Sequence, residues 1–420
     1  MSDNYHCNSE MILSIALRVR CVSKSLITGP RILRKAAAST LLQDVIVPIQ
    51  KQKVNYSPSR DFTSKTTSSP PPSNGNYLNY SMMYHDSVAF LLSNQLGIPP
   101  FIASNNYSGK TPSQVASEFD LSIRAASALL VTLCRMDVVQ IHTDSDESVD
   151  DIIYELTPSA KQFLANRDAP SCVSPFADTF FTNFITPDAL LECSRPKEKK
   201  DLMSEMLEQS DEEVANNARH FMAHMNAQSY SCAKALPTVL GLDSVDIKPD
   251  TTILDIGGGS AIYTINAVQS NPNMKGIVFE LPPIKPITEE YIEEAGLSNR
   301  ISVSPGNFFT DEPFPGPVEY VLFSNILHDW PDDINLSLID KAYNCLSSGG
   351  KIVISEMLLA DDVKSSSSSS TSMNVIMLPY TKGRQYRPKE LFRRLECAGF
   401  ENMHVKKLVD DYDLVIATKP

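Results

Sequence analysis

The chain has 420 residues, 42% hydrophobic and 21% charged, which leaves room for two domains with separate cores. Its formal net charge is -13. That charge argues against nucleic acid or an anionic membrane as a partner, because phosphate contacts need clustered Lys and Arg. Eight cysteines without a CxxC pair or zinc-ligand spacing point to free thiols in a reducing, cytoplasmic compartment and to no bound metal. No apolar run has the length of a membrane span.

Residues 1–77 read as a basic leader and linker. From residue 1 to 60 the acids are Asp3, Glu10 and Asp44, against 9 Lys and Arg. A basic, acid-poor, Ser-containing leader fits a mitochondrial transit peptide. A disordered extension fits it too and is the preferred reading. "SKTTSSPPPSNGN" (64–76) is too rich in Ser, Pro and Gly to pack.

Residues 78–168 read as a winged helix. "YLNYSMMYHDSVAFLLSNQLG" predicts an amphipathic helix closed by Gly97. Thr111, Pro112 and Gln114 predict a capped helix start with a capping box, and Ser122 caps the next helix, "IRAASALLVTLCRM". "DVVQIHT" and "DIIYELT" predict short strands around a polar tip. That tip holds Asp144, Asp146, Glu147, Asp150 and Asp151, and the would-be recognition helix has only Arg124 and Arg135 as cations. The module is therefore read as a protein-contact unit for dimerisation, with no nucleic acid bound.

Residues 169–245 predict helices rich in Phe and Met, "SPFADTFFTNFI" and "DLMSEMLEQSDEEVANNARHFMAHMNAQS". Such residues are usually core, but they also suit the walls of a pocket for a flat organic ligand. Phe176, Phe180, Met222, Met225, Met373 and Met377 are the candidate walls.

From 246 to 420 the pattern alternates strand and helix. In "TTILDIGGGSAIYTINAVQSNPNMKGIVFEL" a strand ends at Asp255, and Gly257, Gly258 and Gly259 make a tight turn into a helix. Glu280 closes the next strand 25 residues after Asp255, where an acid can accept from both ribose hydroxyls. A nicotinamide fingerprint needs a third glycine where Ile262 stands, so an oxidoreductase is disfavoured. A loop carboxylate suits a positively charged ligand instead. Ser365 to Ser370 reads as a flexible surface loop.

"LDIGGGS", "GIVFELP", "RISVSPGNFF", "ILHDWPDD", "LSSGGKIVISEMLL" and "GFENMHV" follow one another as in S-adenosylmethionine-dependent O-methyltransferases of the caffeic-acid and acetylserotonin (hydroxyindole) type. The chain resembles that family over residues 78–420. The resemblance implies an α/β fold: a Rossmann-like methyltransferase domain with a mostly parallel sheet, preceded by an α-helical winged-helix dimerisation domain. It implies S-adenosyl-L-methionine as cofactor, a homodimer and a small aromatic hydroxyl substrate, phenolic or hydroxyindole. Asp255, Gly257 and Gly259 then fall at the cofactor's methionine end and Glu280 at its ribose. Gly306, Asn307 and Phe308 fall at its adenine, with Asn307 replacing the usual Asp. Asn325 falls at a further cofactor-contacting position.

His328, where the fourth strand of this half ends, matches the family's general base; a packed structural histidine is the alternative. A base needs its second ring nitrogen held. Glu356 matches the carboxylate that orients the histidine, and Gln385 stands where the family places a second glutamate. Asp329 is read as the cap of the following helix. The alternative function is a dimeric relative that binds the cofactor but is catalytically weak, a reading that Gln385 and Asn307 favour.

Overall fold

The computed structural model describes residues 75–107, 109–141, 152–182, 210–310 and 312–420. The basic leader, most of the Ser/Pro linker and the acidic wing tip lie outside the described residues. The chain divides into two compact units, up to Thr157 and from Pro158 onward.

The first unit holds helices α1 (Gly75–Leu96), α2 (Ile98–Tyr107), α3 (Pro112–Phe119) and α4 (Ile123–Arg135), then strands β1 (Val139–Ile141) and β2 (Tyr154–Leu156). Gly97 ends α1 at φ +85°, where a side chain would be strained. Thr111 accepts from Gln114 N while the Gln114 side chain accepts from Thr111 N, the reciprocal cap that the spacing predicts. Ser122 caps α4 by accepting from Ala125 N. The two strands pair antiparallel over three residues each, shorter than the apolar runs suggest. Ile98, Ile102, Val115, Ala126, Leu130 and Tyr154 are buried here.

The second unit opens with α5 (Pro158–Phe163), α6 (Ser174–Thr182) and α7 (Asp211–Leu240). The α/β part follows as β3 (Thr251–Ile256), α8 (Ile262–Ser270), β4 (Met274–Glu280), α9 (Lys285–Glu294), β5 (Ile301–Pro305), β6 (Val318–Ser324), α10 (Asp332–Cys345) and β7 (Leu346–Glu356). It ends with α11 (Ser368–Tyr380), α12 (Pro388–Cys397), β8 (Glu401–Lys407) and β9 (Asp413–Thr418). The seven strands run in the order β5-β4-β3-β6-β7-β9-β8, parallel through β7, with β9 antiparallel to β7 and β8 antiparallel to β9. Strand order reverses between β3 and β6, the position where open α/β sheets bind ligands at the carboxyl ends of their strands.

Alternation along each strand splits the core into two layers. Leu254, Ile256, Phe323, Ile352 and Ile354 pack with Leu338 and Leu391 on one face. Ile253, Val278, Leu322 and Val353 pack with Leu236 and Ala267 on the other. This parity also aims the polar residues at the strand ends. Asp255 shares the face of Ile253, whereas Glu356 shares the face of Ile354.

Two expectations need correction. The serine run is not a loop: Ser367 caps α11 by accepting from Ser370 N, and Ser370 is fully buried. Serine competes for local backbone bonds and so favours a helix start as readily as a loop. Asp329 does not cap α10. It lies in a 3-10 turn, Leu327–Asp329, and Pro331 occupies the cap position.

Candidate active site

The glycine turn sits at the carboxyl end of β3. Gly257 and Gly259 adopt φ of +65° and +54°, and Ala261 follows at +62°. Glu280 Oε2 accepts from Gly259 N at 3.0 Å and Oε1 from Leu281 N at 2.7 Å, so the β4 acid fixes the loop and keeps lone pairs for other donors. Asp255 is directed to α8, where Oδ2 accepts from the Thr264 hydroxyl at 2.8 Å. Gly258 has no room for a side chain, since a Cβ would lie 2.7 Å from the Asp255 carboxyl carbon. α7 covers the turn: Asn226 bonds Ser260, and Met222 stands over Gly259.

At the end of β5, Gly306 packs against the Phe279 ring too closely to carry a Cβ. The Asn307 side-chain Oδ1 accepts from Phe309 N at 3.0 Å, a local turn bond that an Asp would make equally well. Phe309 and Phe308 meet Trp330 edge-on at 4.7 and 5.9 Å between ring centroids.

His328 lies on the 3-10 turn after β6, 6% exposed. Glu356, at the end of β7, does not hold its ring: Oε1 accepts from His328 backbone N at 3.0 Å. The ring partner is Gln385, whose Nε2 lies 2.9 Å from His328 Nδ1. Gln385 is itself fully buried, and its backbone N donates to Asn374 Oδ1 at 3.0 Å. Gly383, two residues earlier, abuts the His328 carbonyl with no space for a Cβ. From beneath, Asn335 Nδ2 reaches the carbonyls of Leu327 and Trp330 at 2.8 and 3.0 Å. Asn325, at φ +52°, receives the Tyr412 hydroxyl on Oδ1 at 3.0 Å, and Gln228 of α7 donates to Tyr412.

Burial dominates the electrostatics. It holds His328 down to about 4 and pushes Glu356 up to about 8 and Asp255 to about 7. Glu280 is raised for the same reason. At neutral pH the imidazole is thus neutral, able to accept a proton. The two acids around the glycine turn gain from a cation beside them. Asn325 Nδ2 is buried with no partner among the described residues, a donor beside that turn's strand. This donor and acid set fits a sulfonium nucleoside.

The structure therefore gathers the expected residues into two adjoining groups, Asp255, Gly257, Gly259 and Glu280 on one side, and Asn325, His328, Glu356 and Gln385 on the other. Gly306, Asn307 and Phe308 adjoin the His-Asp-Trp turn through Trp330. Among the candidate walls, Met222 and Met377 are buried; Phe176 of α6 stacks on His224 of α7 at 4.6 Å. The side chain of Phe180 lies outside the described part. Asn335, Asn374, Gly383 and Tyr412 were not anticipated. Asn335 had a signal, being the polar member of a buried stripe with Leu338, Ile339 and Ala342.

An α/β sheet with a glycine turn after β3, an acid closing β4 and a histidine at the switch point is the layout of enzymes that bind a nucleotide cofactor at the carboxyl edge of the sheet. Residues 204–401 match the model of the O-methyltransferase domain. The L-tyrosine C(3)-methyltransferase of Streptomyces lavendulae is 30% identical over 61% of this chain and 68% of its own. The chain belongs to the S-adenosylmethionine-dependent O-methyltransferase family. The acetylserotonin O-methyltransferase of Bos taurus is 33% identical over 42% of this chain, and the match spans half (50%) of that enzyme's length. Human N-acetylserotonin methyltransferase in complex with SAM superposes with a TM-score of 0.68 at 20% identity, over 84% of this chain and 99% of that one.

The buried acid at the end of β7 makes stability depend on pH. A carboxyl raised on folding contributes stability that is complete below its ordinary value and is lost as pH climbs through about 8. Glu356→Gln keeps an acceptor for His328 N but cannot ionise. Thermal midpoints measured between about pH 5 and 8 should therefore fall less steeply for the variant than for the native chain. Superimposable profiles would show that Glu356 is already ionised in the folded protein.

Proposed function

We propose that the chain transfers a methyl group from S-adenosylmethionine to the hydroxyl of a small aromatic acceptor, phenolic or hydroxyindole, with His328 as general base. The carrying observation is the buried imidazole at the carboxyl edge of the sheet, fixed by its backbone to Glu356 and by its ring to Gln385. The cofactor supplies a methyl group on an electrophilic sulfonium sulfur. Glu280 would hold its ribose hydroxyls, the Gly257–Gly259 turn with Asp255 would face its methionine end, and Gly306, Asn307 and Phe308 its adenine, with Asn325 as a further donor.

The protein's own tasks are alignment and proton removal. His328 accepts the acceptor's hydroxyl proton on Nε2, which requires the other proton on Nδ1. Turning the Gln385 amide over places Oε1, otherwise buried without a partner, on that Nδ1–H. Glu356 serves by fixing where the imidazole stands. α7 and α11 carry Met222, Met225, Met373 and Met377 as walls suited to a flat ring.

The name of the Streptomyces lavendulae relative favours a second reading, methylation at a ring carbon beside the hydroxyl. Deprotonating a phenol activates that carbon as well as the oxygen, so the same base serves both. NMR of the methylated product separates them.

His328→Ala should leave S-adenosylhomocysteine binding by calorimetry near the native value while kcat falls about a hundredfold or more. Glu280→Ala should weaken cofactor binding with a smaller effect on the acceptor's KM. An unchanged kcat in folded His328→Ala would make the histidine structural. Cofactor binding with no turnover of any hydroxyl in the native chain would favour a catalytically silent relative.

The first unit is proposed to form the homodimer contact, supported by exposed Met83, Tyr84 and Val88 on α1. Light scattering of the native chain should give twice the mass of one chain, and Tyr84→Glu with Val88→Glu should shift it toward one. A monomeric native chain would contradict the assignment.

A further inference from the structure

The groups around the imidazole carry a consequence for the acceptor. Gln385, which meets Nδ1, is a neutral amide and fully buried. Asn374 of α11, which tethers Gln385, is neutral as well. Glu356 is turned to the backbone N–H of His328, and its second oxygen is buried with no partner among the described residues. Asp329 Oδ1 stands 3.6 Å from Nε2, beyond hydrogen-bond length and beside the nitrogen that must remain open to the acceptor. The backbone carbonyl of Asn325 is a further acceptor on the ring. Among the described residues, therefore, no carboxylate bonds the ring nitrogen that a base keeps protonated. The imidazolium formed by proton transfer would be a buried cation whose Nδ1 meets only neutral dipoles, the nearest carboxyl being Asp329 at 3.6 Å from Nε2, and it costs more than one hydrogen-bonded to a carboxylate.

Resting on the methyltransfer reading above, we infer that this site is specific for acidified hydroxyls, aromatic or enolic, whose ring bears a conjugated carbonyl, carboxyl or quinone. Within the phenolic and hydroxyindole class proposed above, members without such a group are the slower acceptors. Such a hydroxyl reaches the site ionised or nearly so, and the lone pair left on oxygen attacks the methyl carbon as its bond to sulfur breaks. The proton goes to His328 or has already gone to water, and the thioether leaves. Gln385 sets the discrimination as a positioning residue: it fixes the ring while withholding the charge that would let His328 deprotonate weak acids.

The test uses the full chain with S-adenosylmethionine and a set of hydroxyl acceptors of similar size, with acidities from about 7 to about 10. Native kcat should rise by about a hundredfold or more toward the acidic end, with KM changing much less. Gln385→Glu, in which a carboxylate meets Nδ1, should gain turnover chiefly at the weakly acidic end and compress the series to about tenfold. A native series that is flat, or that favours the weak acids, overturns the inference without any variant. A folded Gln385→Glu that binds S-adenosylhomocysteine normally and keeps the native slope also overturns it. Failure of the methyltransfer reading looks different: no methylated product at any acidity, from a chain that is folded.

Discussion

The site depends on one short turn, residues 327–330, being held rigid where the sheet ends. Three contacts fix it from different directions. The Glu356 carboxyl accepts from the His328 backbone N–H, the Gly383 backbone lies against the His328 carbonyl, and Asn335 Nδ2 donates to the Leu327 and Trp330 carbonyls. These groups come from β7, the segment before α12, and α10. A histidine so clamped cannot swing away to solvent, and its ring is set by Gln385 and the Asn325 backbone carbonyl. Gly383 is the position with least freedom, since any side chain there would collide with the turn itself.

Strand parity decides which acid serves which group. Asp255 and Ser355 fall on the face covered by α7 and α8, where they meet Thr264 and Tyr263. Glu356, one residue beyond Ser355, falls on the opposite face, beneath the histidine turn. Glu280 ends β4 beside the glycine loop and ties Gly259 down. Three acids within one sheet edge, Asp255 and Glu356 buried and Glu280 half-buried, would repel as anions. Burial raises all three, and the pair beside the glycine turn is the pair that a cationic cofactor would relieve. Tyr412, donating to Asn325 while accepting from Gln228, links α7 to the end of β6, so the helix over the glycine turn is anchored to the strand that leads to His328.

Much of this was legible in the residues because it is local or periodic. The caps at Thr111 and Ser122, the end of α1 at Gly97, the strand closed by Glu280 and the glycine turn all follow from spacing within a few residues. The parts that escaped are those set by distant packing. Whether Glu356 reaches the ring or the backbone of His328 depends on where β7 stops relative to β6, which no short window contains. Gly383 looks like any loop glycine until the turn it abuts is known. The serine run misleads because the same hydroxyls that favour a loop also cap a helix, and Asp329 because Pro331 takes the cap position first.

The account turns on a neutral His328 with its proton on Nδ1 at working pH, facing an amide rather than a carboxylate. Proton–nitrogen NMR correlation spectra of the nitrogen-15-labelled full chain, loaded with S-adenosylhomocysteine, report charge and tautomer of each ring directly. His328→Ala identifies its signal. The account predicts a neutral ring, protonated on Nδ1, from about pH 8 down to about 5, since burial holds its titration near 4. An imidazolium at pH 7, or a neutral ring carrying its proton on Nε2, would contradict it.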